Sequence, residues 1–176
     1  MKTLLLSLAL LATAATLPAA EPAPQLSQFK LGAYIVGPQV TLDNAAGKAV
    51  LIDAWGIRCG PCLASLPDIE KIAKRNKDKM LVFGAHSQGG TDAEISEVVK
   101  KHRLSYTITH GVSGPISFSG IPHVFVFDTK GGLVFSGHPS DPEFERAVRK
   151  ATAGASATGA GGARPSGLDA LKRPGA

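Results

Sequence analysis

The feature that most constrains the fold is an apolar run, Ala49 to Trp55, that leads within four residues into Cys59-Gly60-Pro61-Cys62 and then into an amphipathic segment. The run shows little alternation, as a strand covered on both faces does. From Cys59 to about Asn76, the residues Leu63, Leu66, Ile69, Ile72 and Ala73 recur at three- and four-residue spacings, the period of a helix with one buried face. A central strand that turns directly into a helix places both cysteines at a helix N-terminus. Pro67 falls inside that helix and predicts a kink.

The chain has only these two cysteines, which excludes a scaffold held by several bridges. In the chain-entropy account, closing a loop of about four residues contributes about 1.9 kcal/mol, against about 3 kcal/mol for fifteen residues. A pair this close is a poor staple, so reactivity explains it better. Only a thiolate attacks a disulfide, and a helix N-terminus favours negative charge on Cys59 through its dipole and its free N–H groups. Arg58 adds a neighbouring cation that would tune the thiol. A plain disulfide or half of a zinc site remains the alternative, and zinc would need two further ligands that the spacing does not reveal.

Around this centre the pattern predicts a mixed sheet with helices on both faces. Gln39 to Asp43 reads as a short strand, Met80 to Ala85 as a strand, Asp92 to His102 as a helix, and Ser105 to Thr109 as another short strand. His123 to Asp128 and Leu133 to Ser136 form a hairpin across Thr129-Lys130-Gly131-Gly132. A last helix starts at Asp141, its N-cap, with Pro142 at the first helical position, and runs to Ala151.

Lys2, the apolar run Leu4 to Leu17 and the small residues Ala19 and Ala20 make residues 1–20 a secretory signal, although Pro18 sits poorly for a cut after Ala20. An apolar run of about 14 residues falls short of the about 20 that a bilayer-spanning helix needs. Residues 21–37 read as an irregular lead-in, 38–150 as the folded domain and 151–176 as a disordered Ala- and Gly-rich tail. Residues 21–150 carry 15 Lys and Arg against 13 Asp and Glu, a net +2, with no basic run interleaved with aromatics. Nucleic acid is therefore not an expected partner.

The stretch Asp53-Ala54-Trp55-Gly56-Ile57-Arg58-Cys59-Gly60-Pro61-Cys62, with Pro67 and the step Gly120-Ile121-Pro122 before a strand, resembles the active-site region of thioredoxins, in particular the exported TlpA/DsbE-type thiol-disulfide oxidoreductases. The likeness extends over residues 38–150. It implies a thioredoxin-like α/β fold in which Cys59 is the nucleophile and Cys62 resolves the mixed disulfide. It further implies that Asp53 moves the proton of Cys62 and that Pro122 is cis and faces the cysteines, with the Ile121 backbone pairing to an extended client. Trp55, Gly60 and Pro61 would border the client site, and His123 could lie near the sulfur pair. Two departures, Arg58 at a position that is usually aromatic and Ser65 where an acid is frequent, put partner recognition rather than chemistry in question.

The resemblance thus implies an exported, periplasmic or otherwise extracytoplasmic exchanger, working as a reductant and as a monomer. It would need no cofactor beyond the Cys59–Cys62 disulfide and no metal. Its partners would be client proteins with cysteines or disulfides, such as apocytochrome c, and a membrane electron donor. Two other readings stay open. One is a copper-binding or delivery protein, whose relatives use a wider C-x-x-x-C spacing. The other is a redox-inactive binding module.

Overall fold

The computed structural model describes residues 23–155. The signal read at 1–20 and all but the first residues of the tail lie outside the described residues.

Among the described residues, eight strands and three α-helices follow in chain order: β1 (Lys30–Leu31), β2 (Tyr34–Val36), β3 (Ala49–Trp55), α1 (Gly60–Arg75), β4 (Met80–His86), α2 (Asp92–His102), β5 (Thr107–His110), β6 (Val112–Ser113), β7 (His123–Phe127), β8 (Leu133–Gly137) and α3 (Pro142–Ala153). Six strands form one sheet in the order β2-β5-β4-β3-β7-β8, and β1 pairs with β6 in a separate ribbon. Strands β3, β4 and β5 are parallel, while β7 runs antiparallel to β3 and β8 antiparallel to β7. The fully buried β3 lies between β4 and β7, as its unbroken apolar run requires.

The units β3-α1-β4 and β4-α2-β5 step across the sheet in the same direction, so their right-handed crossovers place both helices on one face. There Leu66, Ile69 and Ile72 of α1, Ile95 and Val99 of α2, and Phe144 and Val148 of α3 pack with Leu51, Trp55, Val82, Ile108, Val124 and Val126 from the strands. The alternate strand residues, Val50, Ile52, Phe83, Ala85, Phe125 and Phe127, face the other way. The sequence predicts helices on both faces, but among the described residues the cover of this face is not an α-helix. It consists of single-turn 3-10 helices at Leu26–Gln28 and Leu42–Ala45, with Phe29, Leu31, Ile116 and Phe118 beside them. The Phe29 ring packs against Phe125 and Phe127 at centroid separations of 5.3 and 4.9 Å.

Strand ends shift by one or two residues from the sequence reading, and three segments differ in ways that bear on the fold. Residues 21–37 are not an irregular lead-in throughout, since they supply β1 and the sheet-edge strand β2, and Leu26 N–H donates to Gly131 O at 2.8 Å. Gln39 to Asp43 forms no strand. Thr41 N–H donates to Asn44 Oδ1 at 2.8 Å and Asn44 N–H to Thr41 O at 3.1 Å, and these local bonds compete with a ladder. At the other end α3 continues to Ala153 with Ala151 and Thr152 buried, so the tail begins later than residue 151.

Candidate functional site

Strand β3 ends at Trp55, the turn Gly56 to Arg58 follows, and Cys59 becomes the N-cap of α1. Its Sγ accepts the N–H of Cys62 at 3.2 Å, so an orphan donor of the helix points at this sulfur. Pro61 stands in the first turn, where its missing N–H costs nothing. Cys59 and Cys62 are joined by a disulfide with Cα atoms 5.2 Å apart. Cys62 is completely buried, Cys59 is half-buried, and Gly60 and Pro61 are exposed. Across from them, Ile121-Pro122 is a cis peptide. The Ile121 carbonyl oxygen lies 3.6 Å from Cys59 Sγ, and Pro122 itself is buried. The structure thus brings Cys59, Cys62, Gly60, Pro61, Ile121 and Pro122 together at the end of the sheet where β3 finishes and β7 begins.

Asp53 lies beneath them in β3, on the face that α1 covers, and it is fully buried. Neither carboxylate oxygen has a hydrogen-bonding partner among the described residues. Burial raises its pKa from 3.8 to about 7. A carboxyl in that range can hold or release a proton near neutral pH, which is what a group serving a buried thiol needs. The register neighbour of Asp53 is Gly84, where a Cβ would stand 2.7 Å from Ile108 Cδ1, 3.0 Å from Trp55 Nε1 and 3.1 Å from Tyr106 Cε2. Tyr106 is buried as well, and its phenol is pushed well above the usual value by burial, then by Asp53 and Glu70.

Three residues lie elsewhere than expected. Trp55 is completely buried on the helix-covered face of β3 instead of bordering an open client surface, and its ring meets that of His86 edge-on at 5.4 Å. Arg58 is exposed and directs its guanidinium to Glu94 at 3.4 Å and to Gly89 O at 3.3 Å, so its charge is shared with an acid of α2. His123 falls on the sheet face opposite α1, stacked on Phe118 at 5.0 Å with Nε2 2.9 Å from Ser136 Oγ. Alternation along β7 decides this, since Val124 rather than His123 shares the helix-covered face.

Two residues near the site have no signal in the motif. Ile57 N–H donates to His86 Nε2 at 3.2 Å, and Arg58 N–H donates to Gln88 Oε1 at 2.7 Å. Both acceptors follow from the parallel pairing of β3 with β4, whose carboxyl ends lie side by side. Among the described residues no group of three or more His, Cys, Asp or Glu is gathered to hold a metal ion, and no helix is long and apolar enough to cross a membrane.

A sequence model of the Redoxin family matches residues 18–153. The chain belongs to the Redoxin family. The match begins before β1, in accord with the structural part played by the lead-in. This Redoxin chain is 30% identical over 103 residues to "Thioredoxin-like protein YneN" of Bacillus subtilis, covering 54% of this chain and 59% of the relative. It is 23% identical over 96 residues to "Thiol-disulfide oxidoreductase ResA" of Oceanobacillus iheyensis, covering 54% of this chain and 50% of that protein. It therefore spans between half and three-fifths of the length of these relatives. Its fold is that of a thiol:disulfide interchange protein of the thioredoxin family from Chlorobium tepidum, at a TM-score of 0.59 and 21% identity over 76% of this chain and 99% of the other. A thiol-disulfide isomerase from Corynebacterium glutamicum superposes with a TM-score of 0.63 at 16% identity, over 76% of this chain and 98% of the other. The Redoxin chain therefore has a thioredoxin-like fold.

Proposed function

We propose that this protein is an exported thiol-disulfide oxidoreductase that reduces client disulfides. The observation that carries this reading is the asymmetry of the sulfur pair: Cys59 is half-open at a helix N-terminus beside the Ile121 carbonyl, while Cys62 is sealed beneath it. In the dithiol form the Cys59 thiolate attacks a client disulfide, forming a Cys59–client bond and releasing one client thiolate, which takes up a proton. Cys62 passes its proton to Asp53 and attacks Cys59 Sγ, which releases the second client sulfur. Two electrons go to the client, and the Cys59–Cys62 disulfide remains for a membrane electron donor to reduce.

The Gly60-Pro61 pair and Ile121 before the proline resemble reducing thioredoxins and support this direction. The leader-like residues 1–20 support export to the periplasm or another extracytoplasmic space.

A Cys62→Ser variant tests the exchange. It should accumulate mixed disulfides through Cys59 with client proteins, seen by mass spectrometry of non-reduced samples and absent when Cys59 is also replaced. Failure to trap any species under reducing, neutral and oxidising conditions would overturn the reading.

A further inference from the structure

The turn that carries Cys59 to the start of α1 has two backbone N–H groups, those of Ile57 and Arg58, held by side chains that follow the run of β4. His86 Nε2 takes the first at 3.2 Å and Gln88 Oε1 the second at 2.7 Å. Gly56 allows this approach, since a Cβ there would stand 2.7 to 2.9 Å from Gln88 atoms. His86 is 2% exposed, and its backbone is fixed by the register with Trp55 on one side and His110 on the other. A backbone N–H can only donate, so Nε2 carries the lone pair and the ring proton resides on Nδ1.

We propose that His86 is a positioning residue for Cys59: its neutral ring holds Ile57, and thereby the turn, in the place where Cys59 caps α1. This rests on the exchange reading only in taking Cys59 as the reactive sulfur. A protonated ring would turn a donor toward the Ile57 N–H and release the turn. The groups that face His86 oppose that protonation. Trp55 of β3 and the surrounding core bury it, and the Arg58 charge of the turn, together with His110 of β5 whenever that ring is protonated, opposes a further positive charge, so that its pKa lies below the ordinary imidazole value. The acids of α2 are engaged with these same side chains, Asp92 with His110 at 2.9 Å and Glu94 with Arg58 at 3.4 Å.

The test follows alkylation of Cys59 by iodoacetamide in the reduced full chain between about pH 5 and 9, comparing wild type with His86→Phe and His86→Gln. Phe keeps a ring that cannot accept, whereas the Gln Oε1 accepts and does not titrate. The alkylation midpoint should rise by about 0.5 in pH for His86→Phe, the size of a helix-terminus effect, and return to the wild-type value for His86→Gln. Equal midpoints for wild type and His86→Phe, or a shift as large in His86→Gln, would overturn the proposal. Should His86→Phe not fold, the 15N shifts of the wild-type ring decide instead: an unprotonated Nε2 between about pH 6 and 8 supports it, and a proton on Nε2 overturns it. Neither readout involves a client, so trapping by Cys62→Ser stands or fails separately.

Discussion

With its carboxyl raised from 3.8 to about 7 by burial, Asp53 keeps its proton in the folded protein over a range in which the unfolded chain has already released it. The native state then binds more protons than the unfolded one, so stability is greatest below the unfolded value and falls as pH rises from about 4 to about 7. Three pH decades correspond to about 4 kcal/mol as an upper bound. Asp53→Asn removes the titration. Its melting temperature should exceed that of the wild type at pH 8 and lose that advantage at pH 4, as followed by circular dichroism, and parallel pH profiles of the two proteins would contradict the assignment. Cys59, Cys62 and Asp53 stood out in the sequence because they fall within one motif and the strand before it, whereas the cis step at Pro122 was implied by the family resemblance and not by spacing. His86 did not stand out, since its part depends on a strand pairing about thirty positions away rather than on spacing.

Among the elements, α2 was legible because Ile95, Val98 and Val99 define one face, and the structure adds that Thr91 and Glu94 close its start with mutual hydrogen bonds. The start of α3 at Asp141-Pro142 was legible for the same kind of reason. Strands β1 and β2, two and three residues long, carry too little alternation to be recognised, and their place is set by packing against residues distant in the chain. Two substitutions measure packing on the two faces of the sheet. Phe29→Ala, which empties the contact with Phe125 and Phe127, should lower stability by about 3–4 kcal/mol in urea unfolding. A loss near zero would show the N-terminal cover to be dispensable. Gly84→Ala puts a methyl group against Ile108, Trp55 and Tyr106 and should cost about 1–3 kcal/mol by the same measurement.

For the whole molecule, the fold class followed from an apolar central strand, a strand-helix alternation and a terminal hairpin, and the sheet order confirms that class. The uneven cover was not legible, because which face a crossover occupies depends on strand order, which periodicity does not contain. The reductant reading is a property of the entire chain, since a potential compares the stabilities of its dithiol and disulfide forms. Equilibration with glutathione should place it near thioredoxin's about −270 mV, and a value near the about −120 mV of a strong oxidase would reverse the direction of the proposed reaction.

The unequal exposure of the two sulfurs also has a kinetic consequence. A protein that offers one sulfur to the outside has one port, and everything that exchanges electrons with it must use that port in turn. Client and electron donor would then use Cys59 in alternation, the client on the dithiol form and the donor on the disulfide form. Steady-state rates should follow a ping-pong pattern, with parallel double-reciprocal lines.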